Sequence, residues 1–199
     1  MTDAPKYYDL RSDFWRRHFE MALDYAVYLS TSDPDRAARW EDMEPRIPHL
    51  DEAQRRRLTG HRRRLNVLVH SAVWCGDCVR QGPMLRRIAD ACGPEVRIRF
   101  LDRESSPALT DELRMLGGNR VPVAVFLSED FYELGRCGDR GLVTYRAKRE
   151  RECGPACASG HVAPPEEQLA AEQEEWVCFF ERMLLMLRLA PELRARYDD

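Results

Sequence analysis

Residues 65–73, Leu-Asn-Val-Leu-Val-His-Ser-Ala-Val, run directly into Trp74-Cys75-Gly76-Asp77-Cys78, and this join decides the fold. Leu65, Val67 and Val69 begin an apolar strand, and the segment after it reads as a helix to about Ala91, stopped by Gly93-Pro94. Two cysteines separated by two residues at a helix start lie on one turn, close enough to form and break a disulfide. The unpaired amides and the positive dipole end of the helix favour a thiolate there. The stretch therefore predicts a nucleophilic sulfur near neutral pH.

Working outward, the pattern keeps alternating between strand and helix. Val96 to Leu101 reads as a second strand, and Ser106-Pro107 opens a helix closed by Gly117-Gly118. Val121 to Leu127 is a third strand, joined through Ser128-Glu129-Asp130 to a fourth at Phe131 to Cys137, an expected hairpin. A helix from Asp139 to Cys153 ends at Gly154-Pro155. The last helix follows Pro164-Pro165, with Glu166 and Glu167 in its first turn, where the dipole favours acids. Upstream, Ser12 is placed to cap a helix carrying Trp15, Phe19, Ala22, Ala26 and Leu29 at helical spacing. Asp33-Pro34 starts a second helix that stops before Pro45, and Asp51 to Thr59 makes a third, ended by Gly60.

The expected fold class is α/β, a central mixed sheet flanked by helices, with extra helices at both ends. The expected divisions are a helical extension over residues 1–61, the α/β domain over 62–152, and a loop with a C-terminal helix packed on it over 153–199.

Composition narrows the function classes. The 199 residues, 44% hydrophobic and 33% charged, suffice for one core with helical additions. A net charge of −3 gives no reason to expect nucleic acid or anionic membranes as partners. The runs Arg55-Arg56-Arg57 and Arg62-Arg63-Arg64 lack interleaved aromatics and read as a solvated helix end. The first thirteen residues lack the apolar core of a signal peptide. The most apolar stretch, Trp176 to Ala190, is interrupted by Glu181, Arg182 and Arg188, so no membrane span is expected. The expected location is the cytoplasm, where the seven cysteines stay reduced and serve as catalytic, metal-binding or buried residues.

With these residues in hand the chain resembles the thioredoxin superfamily, in particular bacterial thioredoxin-like proteins with a helical N-terminal extension. Trp74-Cys75-Gly76-Asp77-Cys78 matches the family's Trp-Cys-x-x-Cys between strand and helix. Pro83, five positions after Cys78, matches the proline inside the family's active-site helix; Val121-Pro122 matches its cis-proline, and Gly138 a glycine of its substrate groove. The resemblance covers roughly residues 62–150 and implies a thioredoxin-like fold and dithiol–disulfide exchange, with a reductase direction expected. Cys75 is the expected nucleophile and Cys78 the resolving thiol. Trp74, Gly76, Asp77, Val121, Pro122, Cys137 and Gly138 are expected to line the site. The implied partners are a disulfide-containing protein or low-molecular-weight thiol as substrate and a reductase or thiol as electron donor. No organic cofactor is implied, because the sulfurs carry the electrons.

Two departures from the family pattern matter. The aspartate that thioredoxins usually bury six residues before the first cysteine is Val69 here, and its lysine partner is also absent, Ile98 and Phe100 standing at the candidate positions. Proton handling must then use water, Asp77 or another group. Asp77, next to the thiols, is expected to raise the nucleophile's pKa relative to a neutral residue. The missing acid also keeps open a second reading, a binding or adaptor module that keeps the fold with little turnover.

Other candidates have plain structural readings. Cys137 is either a third thiol near the pair or a small buried hydrophobe. Cys153, Cys157 and His161 are spaced by four in a loop-like stretch, three soft ligands where a closed zinc site needs a fourth; the alternatives are an accessory Cys153–Cys157 redox pair or incidental loop residues. Cys92 and Cys178 read as packing residues, and His70 as a satisfied core histidine. The apolar final helix packs on the core or forms a homodimer interface.

Overall fold

A computed structural model describes residues 8–153 and 167–198. Four strands form one mixed sheet in the order β2-β1-β3-β4: β1 Leu65–Ser71, β2 Val96–Asp102, β3 Val123–Leu127 and β4 Glu133–Gly138. β1 pairs with β2 in parallel and with β3 antiparallel, and β3 pairs with β4 as the expected hairpin. Every residue of β1 is buried, which is why its sequence runs apolar on both faces.

The strand's alternation sorts the core into two layers. Leu65, Val67 and Val69 face α5 (Gly76–Cys92) and α8 (Gln168–Leu189), while Leu68 faces α1 (Ser12–Met21) and α6 (Pro107–Glu112). Beyond α1, the N-terminal extension continues the first layer. Tyr25 and Tyr28 of α2 (Tyr25–Ser30) and Trp40 of α3 (Pro34–Met43) pack with Phe100 of β2, ring centroids 5.5 to 6.2 Å apart. Trp40 is fully buried against α5, where Gly82 leaves room for it: a Cβ there would stand 1.9 Å from the indole ring. The extension is therefore bound to the domain by its core.

Several boundaries differ from expectation for identifiable reasons. The helix expected from Ser12 to Leu29 is two helices, because Leu23 leaves helical geometry to pair with Phe100 through reciprocal backbone bonds of 2.9 and 2.7 Å. β2 is an edge strand, and Leu23 satisfies groups its outer side would leave unpaired. Ser12 is the first helical residue rather than the cap, and Arg11 occupies the cap without a side-chain bond. Asp33 caps α3 through the Arg36 amide at 3.0 Å, as the Asp-Pro signal implied. Asp51 and Gln54 form a reciprocal capping box on α4 (Glu52–Leu58). α7 spans Leu142–Cys153, three residues shorter at its start than expected, and a short α9, Pro191–Tyr197, follows α8.

The arginine runs are a solvated end only in part: Arg55, Arg56, Arg62 and Arg64 are exposed, but Arg57 and Arg63 are not. Arg57 bridges α4 to α8, pairing with Glu174 at 2.6 Å and Glu181 at 2.8 Å, and Arg63 is 4% exposed beside Glu129. Cys178, expected within the packing face of α8, is exposed and touches Arg57 and Glu174 instead. Trp176, Phe180, Met183, Leu184 and Leu187 turn the other side of α8 into the core. Among the described residues, no helix is long and apolar enough to cross a membrane.

Candidate functional site

The CGDC turn sits where β1 ends and α5 begins, at one end of the parallel β1–β2 pair. Cys75 is the N-cap of α5, extended at φ −77°, ψ 125°, and its carbonyl accepts the first helical bond from Val79 at 2.9 Å. That cap position holds the sulfur over the free amides of the first turn. Cys75 is partly exposed and Cys78 is 1% exposed, both as free thiols. The order of accessibility is the one expected of an attacking and a resolving sulfur.

Their electrostatics differ as sharply as their burial. The Cys78 S–H, together with the amides of Cys78 and Asp77, stabilises charge on Cys75; burial and Asp77 oppose this, and the net effect lowers the Cys75 thiol to about 6. Burial holds Cys78 far above the ordinary thiol range, and the neighbouring Cys75 adds to the rise. Asp77 acts in the direction expected from the sequence, but it is outweighed. The Cys78 thiol and the helix amides are the stronger influences; the Asp77 carboxylate is itself paired, with Arg80 at 2.9 Å and Arg140 at 2.6 Å.

Those arginines belong to a chain of charges along one flank. Arg120 and Arg140 hold Asp139 at 3.0 and 3.1 Å, and Arg80 reaches on to the buried Glu172 of α8 at 2.8 Å. Burial would raise the Asp139 carboxyl, but the Tyr145 hydroxyl and the two arginines more than offset it and hold the group below its usual range. None of these charged residues except Asp77 stood out in the sequence. Gly138-Asp139-Arg140 forms no recognisable motif, and only folding brings it beside residue 77.

The peptide bond between Val121 and Pro122 is cis, and the Val121 carbonyl faces Cys75, accepting from its thiol at 3.5 Å. Gly138 lies opposite Val123 in the hairpin, where a Cβ would meet the Pro122 carbonyl oxygen at 2.4 Å. Only glycine fits that approach. Trp74 is 37% exposed, with the Arg103 guanidinium 4.8 Å over its ring, so it borders the turn rather than joining the core. Cys137 stands opposite Ala124 and lines an apolar cleft of about 550 Å³ with Trp176, Cys178 and Phe179; burial pushes its thiol up to about 12. Its surroundings keep it protonated at neutral pH.

His70 is only half satisfied. Its Nε2 lies 3.0 Å from the Thr110 hydroxyl, its Nδ1 has no partner, and burial lowers the ring to about 4. Cys92 is buried in the core as expected. Cys153 ends α7 and is exposed; Cys157 and His161 lie outside the described residues. Among the described residues, no group of three or more His, Cys, Asp or Glu side chains is disposed to hold a metal.

A mixed sheet with an extended cysteine N-cap facing a cis-proline defines a thioredoxin-like protein. The family model described as Thioredoxin matches residues 22–144, and the chain belongs to that family. The match begins inside the helical extension, in keeping with the extension's place in the core. Among curated proteins, none matches the chain. Two solved structures share the fold. A Pseudomonas aeruginosa protein of unknown function is 17% identical with a TM-score of 0.59, over 87% of this chain and 96% of that one. An HIV epitope-scaffold is 18% identical with a TM-score of 0.58, over 80% and 94%.

Proposed function

We propose that this chain is a thiol-disulfide oxidoreductase working through Cys75 and Cys78. One observation carries the reading: an acidified, partly exposed Cys75 at a helix N-terminus, backed by a buried Cys78 thiol and faced by the Val121 carbonyl. In the reductase direction, the Cys75 thiolate attacks a substrate disulfide and forms a mixed disulfide, releasing one substrate sulfur as thiolate. Cys78 loses its proton and attacks the Cys75 sulfur, releasing the second substrate thiol and leaving the Cys75–Cys78 disulfide. Two electrons pass from the protein's dithiol to the substrate. A thiol or reductase donor then restores the dithiol.

The backbone beside the cis-proline supports a protein substrate, because an extended peptide can pair with it strand-wise. A reducing, cytoplasmic setting fits the many free thiols. The competing reading, a binding module that holds a partner in the same groove, draws on Val69, which leaves no buried carboxylate to deprotonate Cys78.

The deciding measurement is the potential of the pair, equilibrated against glutathione and read by mass spectrometry, with Cys75→Ser as control. A reversible couple between about −200 and −280 mV is expected for a reductase or exchange enzyme, and a value near roughly −120 mV would reverse the assigned direction. A pair that never oxidises, or a protein that binds disulfide peptides without turning them over, overturns catalysis in favour of binding.

A further inference from the structure

The exchange reading leaves one chemical question open. Cys78 must lose a proton before it can attack, yet it is 1% exposed and no carboxylate stands at Val69. A thiol in that position needs an acceptor within the protein.

Two buried hydroxyls adjoin it. Ser71, the last residue of β1, is fully buried, and its side chain acts on both Cys78 and Tyr28. Tyr28, from α2 of the N-terminal extension, is 3% exposed, held between Trp40 and Phe100 with ring centroids 5.7 Å from each. Its hydroxyl feels the charges of Cys78, Cys75 and Asp102. Neither hydroxyl makes a hydrogen bond of normal geometry in the resting protein. Buried hydroxyls are seldom left unpaired without a reason, and two of them together beside a thiol that must be deprotonated is an unusual placement.

The row ends at solvent. Asp102 is paired with Ser71 in the parallel register, its carboxylate accepts from the Glu104 amide at 2.9 Å, and it is partly exposed. With Tyr28, Val73 and Trp74 it lines a cleft of about 430 Å³ beside the CGDC turn. The titratable and charged groups facing this row are Cys75 and Cys78 from the CGDC turn and α5, Tyr28 from α2 and Asp102 from β2, with Arg36 of α3, its cap Asp33, and Glu104 lining the cleft; Trp40 of α3 is uncharged. His70 and its neighbour Arg103 bear on the other face of β1.

We propose that Ser71 and Tyr28 form a proton relay from Cys78 to Asp102 and the cleft beside Trp74. The proposal rests on the exchange reading. As Cys78 attacks, its S–H proton passes to the Ser71 oxygen, Ser71 passes its own to Tyr28, and Tyr28 passes its own to Asp102 or solvent. Each hydroxyl gains one proton and loses one. The new bond joins the Cys78 and Cys75 sulfurs, the bond that breaks joins Cys75 to the substrate sulfur, and the departing thiolate takes a proton from water. In this relay Ser71 takes the proton from the thiol, and Tyr28 and Asp102 act through it. The extension thereby completes the site chemically, supplying the role left vacant at Val69.

The test follows the glutathione adduct on Cys75 by acid quench and peptide mass spectrometry, after mixing the reduced full chain with glutathione disulfide. Adduct formation reports attack by Cys75, and adduct decay reports resolution by Cys78. Tyr28→Phe and Ser71→Ala are expected to slow decay at least about tenfold while formation stays within about twofold of wild type. Asp102→Asn should displace the pH profile of decay to higher pH and leave that of formation in place. Unchanged decay in all three variants, or equal slowing of both steps, overturns the relay. A wild-type protein that forms no adduct overturns the exchange reading itself, and the relay with it.

Discussion

The two flanks of the CGDC turn are built from opposite materials. Toward α7 and α8 runs a row of charges, Arg120, Asp139, Arg140, Asp77, Arg80 and Glu172, each paired with its neighbour. Toward the N-terminal extension lie Tyr25, Tyr28, Trp40 and Phe100, aromatic, uncharged and, apart from the half-buried Tyr25, buried. One turn of helix thus places Cys75 near compensated charges and amides, and Cys78 in a dry, low-dielectric pocket. The contrast shows how two identical side chains acquire opposite acidities: the partly exposed sulfur is stabilised as an anion, and the buried one is held neutral.

If the aromatic flank holds the fold and the ionic flank adjusts charge, substitutions on the two sides should separate stability from acidity. The largest effect belongs to Trp40→Ala, which empties a fully buried site against Gly82 and should cost about 3–5 kcal/mol in denaturant unfolding. Trp74→Ala, at the exposed rim, should cost a small fraction of that. Comparable losses in the two variants would break the contrast.

An intermediate effect tests burial on the other face of β1. The folded protein holds His70 at about 4, below its ordinary 6.5, so between those values the unfolded chain binds a proton that the folded chain refuses. Stability from this residue is therefore complete above pH 6.5 and lost as pH falls toward 4, by on the order of 2–3 kcal/mol. Unfolding curves of His70→Gln should be flatter over that window, and identical pH slopes would contradict the assignment.

The smallest changes in stability, and the most informative in acidity, lie on the ionic flank. Wild-type Cys75 alkylation by iodoacetamide should rise through a midpoint near 6. Asp77→Asn removes a charge that opposes the thiolate and releases two arginines, moving the midpoint down. Arg140→Gln uncovers the Asp77 charge and moves it up. Arg140→Gln should cost less stability than Trp40→Ala, because Arg80 still pairs with Asp77 and Arg120 with Asp139. Midpoints that stay fixed in both variants would show that the helix amides and the Cys78 thiol alone set the acidity.

Much of the site was legible because its chemistry is local. Cys75 and Cys78 are related by helix geometry, and the caps at Asp33 and Asp51 follow from residues three positions apart. Val121-Pro122 and Gly138 could be placed only through the family resemblance, since nothing in their own sequence says that they face residue 75. The readings that failed depended on distant partners. The break at Leu23 answers to an edge strand almost eighty residues away, and Arg57 to glutamates on α8. No local pattern carries such information.

By itself, then, the sequence determined the alternation of strands and helices and the position of the thiol pair on a helix start. These follow from periodicity, capping and the bond geometry of one turn. The tertiary structure decided which sulfur is acidic, what pairs with Asp77, and that Tyr28 of the N-terminal extension shares a buried core with Cys78. Burial and Coulomb interaction depend on distance in space, and for Tyr28, Ser71, Cys78 and Arg140 only the packed chain sets that distance.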